Sequence, residues 1–234
     1  MKSELMETLK LGDILIKIEY KRIKNLRMTI YPPDGKVYIS APVNASKDVI
    51  RNFAVSKSRW IEKHRIKYRS LPHVVNNFQN HEIYYVWGTA YELELVERKG
   101  HPKIMLSNGQ ILMSVPPQST NAKKQDLLNK WYRNILRETA PVIIRKWEAV
   151  IGVTVKGLYL RKMKSHWGSC NYKNRTIRLN TELAKKSPEC LEYVTVHELI
   201  HMLEPHHNPV FYRLMNTYLP SWKTIRKKMN SGEM

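Results

Sequence analysis

Residues 187–205 constrain the fold more than any other stretch of the chain. Ser187 suits a helix N-cap, Pro188 the first helical position and Glu189 the first turn. Pro205 keeps the helix from running much past Leu203. The run between is largely apolar and demands a core around it. Deep in its interior stand His197-Glu198-Leu199-Ile200-His201. Histidines four apart share a helix face, one turn apart. Their imidazoles can reach one ion at about 2.0–2.1 Å. The glutamate beside the first can take a proton from a water at the ion's open position without binding the ion itself. Nine His and sixteen Glu in 234 residues would give this pattern by chance about 0.02 times per chain. That weighs against the plainer reading, two half-buried histidines on a core-facing stripe.

A catalytic zinc takes a third protein ligand. A glutamate from a later helix is almost ruled out, because Glu233 is the only acidic residue after Glu204. His206 and His207 follow the proline-broken helix end. His207 is favoured, ten residues past His197 as in the longer pattern H-E-x-x-H-x-x-G-x-x-H. Glu204 stands at the glycine position, so that match is incomplete.

Upstream, alternation and turn signals predict strands over 13–19, 26–31 and 36–40, the last two joined through Pro32-Pro33-Asp34-Gly35. A helix is expected over 46–69, with Ile50, Phe53, Ala54, Trp60, Ile61, His64 and Tyr68 on one face and Lys57 interrupting it. Residues 71–80 read as a connector. Strands follow at 82–87, 91–96, 103–107 and 110–115, with Asn108-Gly109 as a hairpin turn. A long helix spans 121–150, with Pro141 expected to kink it and Gly152 placed to end it. Strands at 153–160 and 176–180 flank KSHWGSCNYKN, and a second helix after the metal-binding one starts at Asn208-Pro209 and is interrupted by Pro220. The class is α+β: a strand-rich N-terminal region over 1–117, and a zincin-like metallohydrolase domain with the metal-binding helix over 118–234. No sequence repeat is evident.

Forty Lys and Arg face twenty Asp and Glu, a formal charge of +20 spread over both halves. Such a surface attracts polyanions such as nucleic acid or nucleotide phosphates; a Lys-rich surface also simply keeps a protein soluble. Residues 156–186 carry nine basic groups against one acid, Glu182. Two cysteines are too few for a disulfide framework and suit a reducing compartment. No run reaches the roughly 18 apolar residues of a membrane span. A soluble, cytoplasmic protein without membrane contact is expected.

Two segments together suggest a family. One is Lys164-Ser165-His166-Trp167-Gly168-Ser169-Cys170, followed by Thr176-Ile177-Arg178-Leu179-Asn180. The other is Val194-Thr195-Val196-His197-Glu198-Leu199-Ile200-His201, followed by His207-Asn208-Pro209-Val210-Phe211-Tyr212. The chain resembles the YgjP-like, SprT-related zinc metallopeptidase domains, strongly over about 160–212 and more loosely upstream. The resemblance implies one zinc ion held by His197, His201 and His207, with Glu198 as base. The family pattern commonly has an arginine before the tryptophan, where His166 stands, and a Phe-Trp pair where Phe211-Tyr212 stands. Arg161, His166, Trp167 and Asn180 are candidate substrate contacts. Some members of the family are assigned pyrophosphatase activity on uridine triphosphate.

Three readings follow. The leading one is a zinc metallopeptidase with Glu198 as general base. The second is a metal-dependent nucleotide pyrophosphatase using the same ion, which the basic stretch would suit. The third is a nucleic-acid-binding module with a structural metal. An open three-histidine site beside a glutamate argues against that last reading, since structural zinc sites are closed by four ligands.

Overall fold

The structure, a computed structural model, describes residues 6–31, 35–70 and 76–231. Two compact units appear, residues 1–75 and 76–234.

In the first unit, β1 (Met6–Leu11), β2 (Ile14–Lys21), β3 (Arg27–Tyr31) and β4 (Lys36–Pro42) form one sheet in the order β1-β2-β4-β3, with β2 and β4 parallel at its centre. Alternate residues Ile16, Ile18, Val37 and Ile39 bury one face, and Ile50, Ala54 and Ile61 from the helices join that core. The helix expected over 46–69 is in fact two, α1 (Lys47–Ser56) and α2 (Ser58–Ser70). Lys57 leaves the helical region at φ −103, ψ 5, and its amide donates back to the carbonyls of Ala54 and Val55, closing α1. Trp60, expected on the buried face, is 39% exposed. Pro32-Pro33-Asp34 and the first half of the 71–80 connector lie outside the described residues.

In the second unit, β5 (Ile83–Val86), β6 (Thr89–Glu97), β7 (Lys103–Ser107) and β8 (Gln110–Val115) form a sheet ordered β5-β6-β8-β7, with β6 and β8 parallel. This is the strand order of the first sheet over again, without a sequence repeat. Asn108 and Gly109 both take positive φ, 50 and 76, as the two-residue hairpin turn requires. The long helix α3 (Asn121–Ile151) is capped by Thr120, whose side chain accepts from the Lys123 amide, and by Gly152 at φ 76; it runs through Pro141. Next come β9 (Gly157–Arg161), β10 (Gly168–Asn171) and β11 (Thr176–Asn180), ordered β10-β11-β9. The 153–160 strand thus begins only at Gly157, and part of the stretch read as a connection is an edge strand. Helices α4 (Pro188–Ile200), α5 (Pro209–Tyr218) and α6 (Trp222–Ser231) complete the unit.

The boundary expected at 117/118 would cut through one core. Tyr84, Leu93, Ile111 and Met113 from β5, β6 and β8 are buried in the same cluster as Leu128, Tyr132 and Leu136 of α3 and Leu191 and Leu199 of α4. Tyr132 Oη donates to the Tyr85 carbonyl at 2.9 Å. The Trp87 and Gly88 amides donate to the Ala184 and Lys185 carbonyls at 2.9 and 3.2 Å. The 83–115 strands belong with the C-terminal elements because α3 covers their apolar face. Among the described residues, no helix is long and apolar enough to cross a membrane.

Candidate metal centre

Helix α4 is buried on nearly every side by Leu191, Val194, Val196, Leu199 and Ile200. Its position is therefore set by packing, and a group it carries is held rigidly. It presents His197 and His201 on one face. After it, the Glu204 amide donates to the Ile200 carbonyl at 2.9 Å, and the chain turns past Pro205 and returns His207 to the same place. Asn208 starts α5 there, its side chain accepting from the Phe211 amide at 3.1 Å. The ligating nitrogens of His197, His201 and His207 all lie within 4.8 Å of one another, the one such grouping of metal-binding side chains among the described residues. His206 stands outside it, exposed, with its amide donating to Glu204 Oε1 at 3.1 Å.

The geometry fits an ion. Two nitrogens bound tetrahedrally to one zinc stand roughly 3.3 Å apart, and the Nε2 atoms of His197 and His207 are 3.1 Å apart. His201 Nδ1–H donates to the Glu204 carbonyl at 3.2 Å, which fixes the ring and leaves Nε2 as its ligand atom. Phe211, 1% exposed, packs among all three imidazoles, with ring centroids 5.0, 4.7 and 4.6 Å from those of His197, His201 and His207. Burial, followed by the charges of His201, His207 and Arg226, pushes His197 down to about 3. Burial also holds His201 below its ordinary value. Neutral imidazoles are the form that ligates.

Glu198 is 5% exposed, and burial pushes its carboxyl up to about 8. It lies beneath Gly168 of β10. A Cβ at position 168 would stand 2.5 Å from Glu198 Oε1 and 2.7 Å from Val194 Cγ1, far inside contact distance. The edge strand can lie this close over the carboxyl only because residue 168 has no side chain. Cys170, two residues on, has its thiol pushed up to about 11 by burial and by Glu198.

A cavity of about 290 Å³ opens beside these groups. Of the expected substrate contacts, His166 and Trp167 line it. Arg161 does not; it is exposed at the end of β9. Asn180 does not either. It is 4% exposed, and its amide nitrogen donates to the carbonyls of Met163 and His166, both at 2.9 Å, while its oxygen accepts from the Met163 and Glu182 amides, both at 3.2 Å. Its amide is spent on shaping the 163–166 loop.

Eight further residues line the cavity, among them Tyr193, Tyr212, Trp222 and Arg226, which the sequence does not mark as contacts. Tyr193 reads as core one turn before His197; it is 7% exposed, yet it forms cavity wall. Tyr212 stacks on Trp222, with centroids 5.7 Å apart and planes at 17°. Trp222 and Arg226 come from α6, and no spacing in the sequence ties that helix to His197.

Such a cavity, with two imidazoles and a buried carboxyl from α4 and its end and a third imidazole from the turn beyond, has the parts of a metal-dependent hydrolase. The particular kind follows from comparison with known proteins. Residues 24–232 match the family described as YgjP-like, metallopeptidase domain, and the chain belongs to that family. Two solved structures share partial likeness. One is the metallopeptidase zymogen abylysin of Pyrococcus abyssi, at 19% identity over 40% of this chain and 93% of the other, with a TM-score of 0.37. The other is the zymogen jannalysin of Methanocaldococcus jannaschii, at 22% identity over 41% and 97%, with a TM-score of 0.36. No curated protein sequence matches the chain.

Proposed function

We propose that this protein is a zinc-dependent peptidase in which His197, His201 and His207 hold one ion and Glu198 is the general base. One observation carries the reading: three imidazole nitrogens within 4.8 Å of one another, beside a glutamate that is 5% exposed. When bound, the ion would polarise the scissile carbonyl and lower the pKa of the attacking water. A cation held beside Glu198 would favour its ionised form over the protonated one that burial alone favours; Glu198 then takes the proton from the attacking water at a carboxylate oxygen and delivers it to the leaving amine. Gly168 leaves that carboxylate room, and Val194 walls it in. Trp167, Tyr212 and Trp222 offer an apolar surface for a substrate side chain. The unpaired thiols Cys170 and Cys190 suit the reducing cytoplasm.

A second reading keeps the same residues and changes the substrate. Arg226 lines the cavity, and a guanidinium recognises phosphate as readily as carboxylate. In that reading the protein is a nucleoside triphosphate pyrophosphatase. One experiment separates them: metal analysis of protein purified without chelator, with casein-type peptides and a triphosphate panel including UTP assayed side by side. Peptide cleavage with about one zinc per chain is expected. Glu198→Gln should keep its metal and lose roughly 10²- to 10⁴-fold in turnover. Cleavage of triphosphates alone would select the second reading, and absence of bound metal would sink both.

A further inference from the structure

The basic stretch before the metal helix has no part in the chemistry above. Over 156–178 the chain carries Lys156, Arg161, Lys162, Lys164, Lys173, Arg175 and Arg178, and no Asp or Glu. All seven are exposed. Lys162 pairs with Glu182 at 3.3 Å. Among the described residues, Lys156, Lys173, Arg175 and Arg178 have no carboxylate within ion-pair distance.

These residues belong to the β10-β11-β9 sheet and its connections, and the register sorts them by face. Gly168, Ile177, Leu179 and Leu158 point inward, toward Glu198 and the core. On the outer face Arg178 is flanked by Tyr159 on one side and Ser169 on the other, and Thr176 by Gly157 and Asn171. The Arg178 guanidinium lies over the Tyr159 ring, 6.0 Å from its centroid. The ring reaches over Gly157: Tyr159 Cε2 lies 3.7 Å from where a Cβ at residue 157 would stand, an ordinary packing distance. Tyr159 is 52% exposed, and Tyr172, in the β10–β11 turn, is 46% exposed. A shallow depression of about 160 Å³ joins Tyr159, Ser169, Asn171, Thr176 and Arg178.

We infer that this outer face binds single-stranded nucleic acid, with phosphates on Arg175, Arg178 and their neighbouring lysines and an unpaired base stacked on Tyr159. Cations answer the phosphate charge. Exposed flat aromatics among them answer a base, and do so without sequence preference. A lipid surface would call for large aliphatic side chains among the cations, and the exposed large hydrophobics within 156–178 are the two tyrosines alone. The site lies on the opposite face of β10 from Glu198. A strand bound there leaves the cavity free, so the inference does not depend on which bond the metal centre cleaves.

The test is fluorescence anisotropy on the full chain with labelled oligo-dT and oligo-U, unlabelled duplex DNA as competitor, and vesicles of neutral and anionic phospholipid in parallel. Single strands should bind ahead of duplex. Tyr159→Ala should weaken binding at least about fivefold. Arg175→Ala and Arg178→Ala should each lower the slope of log K against log salt by roughly 0.7. Lys63→Ala, the same charge change in the other unit, should leave affinity and slope within error. Circular dichroism and metal content check that each variant is folded. Equal losses for Lys63→Ala and Arg178→Ala would mean diffuse attraction to a +20 protein and overturn the site. Tyr159→Ala without effect, or duplex binding as well as single strands, would remove the stacking platform. Binding of anionic vesicles but not oligonucleotide would transfer the surface to lipid. No binding to any probe would end the inference.

Discussion

Gly168 and Glu198 meet at a contact that tolerates no added atom. With the space at residue 168 filled to 2.5 Å from Glu198 Oε1 and 2.7 Å from Val194 Cγ1, Gly168→Ala must displace the carboxylate or the edge strand. Neither neighbour is a flexible chain end free to swing away, because Val194 is buried in α4 and Glu198 is itself 5% exposed. Turnover should fall roughly 10- to 100-fold, the scale on which small misplacements act. Metal content should be unchanged, since the atoms nearest an added Cβ belong to Glu198 and Val194 and not to the imidazoles. Loss of the metal together with the activity would show that the glycine supports the ligands and not the base. At this scale the sequence was informative where chemistry is local. His197 and His201 are one turn apart, and Glu198 adjoins the first. His207 followed from a spacing. Tyr212 stands out in the sequence only by its place in a motif, and nothing in the sequence marks Trp222 or Arg226, because helix packing and not sequence distance brings them to the cavity.

Between elements, the ties of α4 to its neighbours carry a pH dependence. Glu192 of α4 accepts from Lys146 Nζ at 2.7 Å and from Trp147 Nε1 at 3.0 Å, both on α3. Burial raises its carboxyl, but the hydrogen bonds from Lys146 and Trp147 more than offset this and hold it below the ordinary range. Glu182 is likewise held low, its burial outweighed by Lys185 at 2.7 Å and Lys162 at 3.3 Å. A carboxyl with a lowered folded value stabilises the fold fully above its unfolded value, about 4.3 for Glu. That contribution is lost as pH falls through the folded value. Thermal midpoints should therefore drop as pH is taken from about 6 to below 4, and Glu192→Gln should shrink that drop. A variant with the wild-type pH profile would refute the assignment. The elements themselves were legible where punctuation is strong: the Ser187-Pro188 helix start, the Asn108-Gly109 hairpin, the Gly152 stop. Edge strand β10 was not, because Gly-Ser-Cys-Asn has neither β-branched residues nor apolar alternation. The break at Lys57 was invisible too, since apolar spacing runs on across it.

At the level of the molecule, the core predicts where the chain can be cut. All three histidines, Glu198 and the buried cluster from Phe78 to Met229 lie within 76–234. That fragment should fold and hold its metal. A fragment starting at 118 should not fold cooperatively, because it strips β5–β8 from α3 and bares Leu128, Tyr132 and Leu136. Melting curves and metal content of the two fragments check this. Two folded, metal-loaded fragments would restore the 117/118 division that strand spacing and the Pro116-Pro117 connector suggest.

The return of the chain at Pro205 has one more consequence. Because His207 comes from beyond the helix that carries His197 and His201, a bound ion closes a loop between α4 and α5. It would bind the folded chain far better than the open one, in which the three imidazoles are apart. Ligand in a thousandfold excess over its dissociation constant adds about 4.1 kcal/mol to stability. A strong chelator should accordingly lower the melting temperature of the wild type and leave that of His207→Ala unmoved. Persistence and activity would then share one supply line: a cell short of the metal would be left with less of the protein, and not merely with an idle pool of it.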